Sequence, residues 1–196
     1  NKFNYTTMFF VATIGKAHEK IEGYSYDVML RYILSLNPTK IYVTYLTHYD
    51  YDHGLYGEEI RKLMSDDMIA DRVSFRGVDE KKYSALYQKY VDENRSSPEF
   101  VIKFNVLDIM NTTLNSYLEG YWKDPQTVNS EVTDSLFMAK HKLTSAMFPE
   151  LEMLTWENKH REIMENIEMT GVTPNTMILC PAESRYWFID HFGPHS

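Results

Sequence analysis

The sequence predicts an α/β domain: a small, mostly parallel sheet flanked by helices, with an extra helical segment in the second half. Two observations carry this. Short runs rich in apolar and β-branched residues lie at 8–14, 40–46, 72–78 and 176–180, each of strand length. In the first half these runs alternate with helix-period stretches, the pattern of strands that pair in parallel with helices on both faces.

The run MFFVATI has no polar alternation, as expected of a strand covered on both sides. A helix follows, because Met29, Tyr32, Ile33 and Leu36 recur at i, i+3, i+4 and i+7. Asn37-Pro38 stops it. The run beginning Ile41-Tyr42-Val43 is the second strand, 58–64 a short helix, and 72–78 a third strand ending at Asp79. Tyr83, Leu86, Tyr87 and Tyr90 mark another helical stripe, and Arg95-Ser96-Ser97-Pro98 is a loop. Residues 100–121 read as helical, with a short strand at 100–104 as the alternative. Beyond Lys123-Asp124-Pro125, one helical face is Val132, Leu136, Ala139, Leu143 and Met147, and the next is Trp156, His160, Ile163 and Ile167. TMILC is the fourth strand, 187–192 a closing helix and 193–196 a tail. All 196 residues suit one domain, with a helical insertion at about 105–168.

A net charge of −8 with no basic cluster argues against nucleic-acid binding. An apolar content of 43% suits a packed soluble core, and no apolar run approaches the length of a membrane span. The single cysteine, Cys180, rules out an internal disulfide and reads as inert core. The chain starts at Asn1, so N-terminal processing is an open expectation, as are the compartment and oligomeric state. A small molecule or a peptide is the expected substrate class.

In an open parallel sheet, ligands bind beyond the carboxyl ends of the strands. Polar groups follow every strand here: His18 the first, His48, Asp50, Asp52 and His53 the second, Asp79 the third, Glu183 and Arg185 the fourth. Imidazoles and carboxylates brought together at that edge would suit a divalent metal ion such as zinc, manganese or iron. Such an ion activates water for hydrolysis. The expected ligands are His18, His48, Asp50, Asp52 and His53. Glu183 or Asp79 would be the base, with Arg185 orienting a substrate carboxylate or phosphate. Plainer roles stand beside these: Asp79 as a helix N-cap, the 48–53 group as a capped polar loop, His160 as a half-buried core residue and His141 as a solvated one.

Two resemblances bear on this reading. THYDYDHG, leaving a strand, resembles the H-x-[HD]-x-D-H motif of the metallo-β-lactamase superfamily, which implies His48, Asp50, Asp52 and His53 as ligands. The layout of nearly the whole chain resembles the TraB/TIKI-type superfamily, with its erythromycin-esterase-like and ChaN-like relatives. FFVATIGKAH matches the strand with G-x-x-H, RVSFRGVD the strand ending in an acid, WENKHREIMENI the late tryptophan helix, and MILCPAESRYWFIDHF the last strand and aromatic helix. That resemblance implies a metal-dependent hydrolase. Thr44 stands where the family has a glutamate, Lys159 and His160 where it has arginine and asparagine, and Pro181-Ala182-Glu183-Ser184 where it has a second G-x-x-H. The expectations are therefore a divergent hydrolase with a relocated ligand set, a catalytically inactive binding module on the same edge, or a metallo-β-lactamase-like metal hydrolase.

Overall fold

The structure, a computed structural model, describes residues 7–193. Four strands form one all-parallel sheet: β1 (Met8–Thr13), β2 (Lys40–Val43), β3 (Val73–Phe75) and β4 (Thr176–Pro181), in the order β1-β4-β2-β3. The last strand in sequence lies between the first two. Thr176 to Cys180 are all buried, which is why TMILC has no polar alternation. The α/β class and the parallel sheet expected from sequence are both present.

The second and third strands are shorter than their apolar runs: β2 stops at Val43 and β3 at Phe75. Gly77 explains the short third strand. Its backbone passes so close to Leu46 that an added Cβ would lie 2.6 Å from the Leu46 nitrogen. The two chains leave the sheet there by packing backbone against backbone.

Helix α1 (Tyr26–Leu36) is bounded as its sequence suggests. The Ser25 hydroxyl accepts the Val28 amide at 3.2 Å, and Asn37 turns left-handed at φ 47° before Pro38. Its apolar stripe buries Met29 and Ile33 completely. After β2 come α2 (His48–Asp52), α3 (Glu58–Ser65) and α4 (Asp67–Ala70).

The connection from β3 to β4 is helical throughout. It runs through α5 (Glu80–Asn94), α6 (Pro98–Tyr121), α7 (Pro125–Val128), α8 (Glu131–Met147) and α9 (Pro149–Glu152). A single π-helical turn at Met153–Glu157 then leads into α10 (Asn158–Thr170), and α11 (Arg185–Phe192) follows β4. Residues 100–104 belong to α6, so the alternative strand there is overturned. Pro98 at its first turn and the Ser97 cap favour a helix start at that point.

The main core lies on the sheet, and a second small core of Phe100, Leu107, Phe148 and Leu151 holds the helical connection together. Among the described residues no helix is long and apolar enough to cross a membrane.

Candidate functional site

A cavity of about 320 Å³ opens where the helical connection meets the carboxyl end of β4. Its volume sits at the small end of the range typical of ligand sites, about 300 to 1,000 Å³. One wall is aromatic and apolar: Tyr87, Phe104, Leu107 and Leu151. The other holds Lys140, His141, Glu152, Trp156 and Glu183.

Helix α8 supplies His141 because its buried face is Thr133, Phe137 and His141, spaced i, i+4, i+8. The stripe expected from sequence is rotated from this, and Val132 and Leu143 are instead 39% and 36% exposed. His141 is buried at 8% exposure, so its reading as a solvated histidine is corrected. Its Nδ1 lies 2.8 Å from Glu152 Oε2 and its Nε2 lies 2.6 Å from Glu183 Oε2. Lys140 Nζ reaches the same Glu183 oxygen at 3.1 Å. Burial alone would strip the charge from His141. The hydrogen bonds to Glu152 and Glu183, with their charges, outweigh that and raise its pKa. Burial would likewise raise Glu183, but the His141 hydrogen bond and the charges of Lys140 and His141 hold it down at about 2. Lys140, His141, Glu152 and Glu183 thus make one half-enclosed, hydrogen-bonded cluster.

Trp156 holds the imidazole in place from its face. The rings stack 3.7 Å apart at 18°, a geometry that favours the charged imidazole. Trp156 sits on the π turn, where one extra residue changes the direction in which the helix presents its side chains. Its indole N–H donates to Tyr186 Oη at 3.1 Å, and its other face meets His160, ring centres 4.0 Å apart. His160 donates from Nδ1 to the Trp156 carbonyl at 2.8 Å and accepts the Ser184 hydroxyl at Nε2 at 2.9 Å. Burial pushes its pKa down to about 3, so it is a neutral support behind Trp156.

The residues expected from sequence are dispersed. Glu183 is in the cavity. His18 is buried, and both its nitrogens are committed: Nε2 accepts the Ile14 amide at 3.0 Å and Nδ1–H donates to the Tyr24 carbonyl at 2.7 Å. It shapes the turn after β1. Asp50 closes a capping box with Thr47 at the start of α2, Oδ2 accepting the Thr47 amide at 3.1 Å. His53 donates from Nδ1 to the Tyr49 carbonyl at 2.8 Å, and its ring stacks on Tyr49 at the surface. His48 lies edge-on to Phe75 and 3.5 Å from Arg76 Nη1, and Asp52 is exposed. Asp79 caps α5 by accepting the Lys81 amide at 3.1 Å, and shares an open groove with Asp50.

Arg185 donates from Nε to the Phe10 carbonyl at 2.9 Å and ion-pairs with Asp134, which ties α11 and α8 to β1. Its guanidinium is thus engaged by β1 and α8 and does not line the His141 cavity. Among the described residues no three or more His, Cys, Asp or Glu side chains are grouped so as to hold a metal ion. The ligand set expected at His18, His48, Asp50, Asp52 and His53 is accordingly not assembled. Both ring nitrogens of His18 are engaged by the backbone.

His141 and Glu152 were the residues that sequence reading missed. The only signal was the i, i+4, i+8 placement of Thr133, Phe137 and His141, which a search for apolar stripes passes over. Comparison with protein families, characterised proteins and solved structures found no match to this chain.

Proposed function

We propose that this chain is a divergent hydrolase of the TraB/TIKI-type layout that works on a small, partly apolar substrate in the cavity beside His141. The observation that carries the reading is one imidazole clamped between a buried carboxylate and a cavity-facing one. The Glu152 side chain is 6% exposed and that of Glu183 is 32% exposed. Acid and base roles separate along that gradient.

Glu152 fixes the ring through Nδ1 and keeps it charged. Glu183 faces the cavity and takes a proton from the attacking water. His141 returns a proton to the leaving group from Nε2. The 2.6 Å hydrogen bond then lets protonated Glu183 restore the proton to His141. Lys140, beside the same carboxylate oxygen, offsets charge developing on the substrate oxygen. Tyr87, Phe104 and Leu107 supply the apolar wall for the substrate body.

A panel of small chromogenic esters and amides tests this. Turnover is expected in the wild type and to fall by about 100-fold or more in Glu183→Gln and His141→Gln, the usual weight of positioned acid–base groups. Trp156, in the cavity wall, gives an independent fluorescence readout of binding. Quenching without turnover would favour a second reading, a catalytically silent binding module. One observation supports that alternative: Glu183, held at about 2 mainly by the His141 hydrogen bond and the Lys140 charge, already serves as an ion-pair partner. The absence of both turnover and quenching across the panel would remove the cavity from consideration.

A further inference from the structure

The longest helix, α6, is apolar on its buried face and, in its first half, on its outer face as well. Phe100, Leu107, Leu114 and Leu118 are buried against the protein. On the opposite face Ile102 is 65% exposed, Val106 45%, Ile109 67% and Tyr117 54%. The outward positions 102, 106, 109, 113, 116 and 120 advance by 4, 3, 4, 3 and 4, which is the heptad seam of a coiled coil. No charged residue interrupts it, although the chain as a whole carries −8. A seam of about 27 Å in a strongly acidic protein is an unusual surface to leave wet.

We propose that this face pairs with the same face of a second copy, antiparallel, about a two-fold axis at residue 111. The large residues of the seam are in its first half and the small ones in its second. Antiparallel pairing about that point sets Ile102 against the partner's Gly120, Val106 against the partner's Ser116, and Ile109 against the partner's Thr113. Each layer joins a branched side chain to a small one, so the helices approach closely without clash.

The flanks also agree. Lys103 comes beside the partner's Tyr117, whose ring already stacks on Tyr121 with centres 6.0 Å apart. That contact is a cation–π pair. Asn105 comes beside the partner's Glu119, an amide against a carboxylate. No like charges meet. The present partners compete weakly, because Lys103–Glu99 and Lys20–Glu119 are exposed ion pairs. A parallel pair would instead stack Ile102 on Ile102 and leave Gly120 opposite Gly120, an empty layer. The patch is one helix wide, so the dimer belongs to the small-interface, concentration-dependent class. Phe104, Leu107 and Asn111 of the same helix line the His141 cavity, so pairing would stiffen its wall from behind.

Sedimentation of the full chain across the micromolar range is expected to show mass rising to twice that of the 23.1 kDa monomer. Ile109→Glu, at an exposed site that leaves the fold intact by circular dichroism, is expected to hold it monomeric. Single cysteines with a short bis-maleimide linker fix the register. Cys180 is buried and does not interfere. Thr112→Cys lies next to the axis and is expected to cross-link to itself, whereas Ile102→Cys at the end of the seam is not. Monomer at every concentration, an unchanged dimer in Ile109→Glu, or cross-linking of Ile102→Cys in place of Thr112→Cys would each overturn the proposal.

Discussion

The turn at 48–53 and the cluster around His141 use the same chemical groups and end with opposite characters. The turn packs two imidazoles and two carboxylates into six residues, yet Asp50 and His53 bond the local backbone, and His48 and Asp52 stay exposed. The His141 cluster gathers Lys140, His141, Glu152 and Glu183 from α8, the end of α9 and the turn after β4, and takes them largely out of water. Density along the chain makes a cap. Convergence through the fold makes a site with shifted proton affinities.

That contrast can be broken by experiment. The largest effect is expected at Glu152. Glu152→Ala leaves the His141 charge buried with one partner missing, and should cost about 3–5 kcal/mol in urea unfolding. A loss below about 1 kcal/mol would mean that the cluster is wetter than its geometry implies.

Titration should separate the histidines by sign. His160 has its folded pKa depressed from 6.5 to about 3, so the stability it confers is present above pH 6.5 and drains away as pH falls toward 3. His18, lowered mainly by burial, acts in the same direction. His141 is raised, so its contribution is full below pH 6.5 and is lost as pH climbs through the folded value. Imidazole chemical shifts across that range would expose a reversed assignment.

Smaller effects belong to the turn. Asp50→Ala removes the capping box of α2 and is expected to cost about 1 kcal/mol, read from the unfolding midpoint. His48→Ala and His53→Ala should each stay within about 0.5 kcal/mol, as is usual at exposed sites. Neither should change the metal content of purified protein; loss of a bound ion in either variant would restore the turn as a metal centre.

Much of the fold was legible because it rests on local patterns. TMILC could only be a doubly covered strand, Ser25 and Asn37-Pro38 bracket a helix, and alternation of the two periods implies parallel pairing. The site was legible only at Glu183, whose place just after a strand follows from parallel-sheet topology. His141 was not, because an apolar-stripe reading of α8 selects Val132 and Leu143. The helix instead turns Phe137 and His141 inward, toward charges that lie far off in sequence.

By itself, then, the amino-acid order determined the strands, most of the helices, their parallel arrangement and the sheet edge where polar groups collect. These follow from side-chain period, caps and breakers within a few residues. Tertiary structure alone decided that His18 would serve the backbone and that the 48–53 group would face water. It also decided that His141, Glu152 and Glu183 would share one desolvated pocket. Proton affinity depends on burial and on neighbours within a few ångströms, and those are set only when distant segments close around the group.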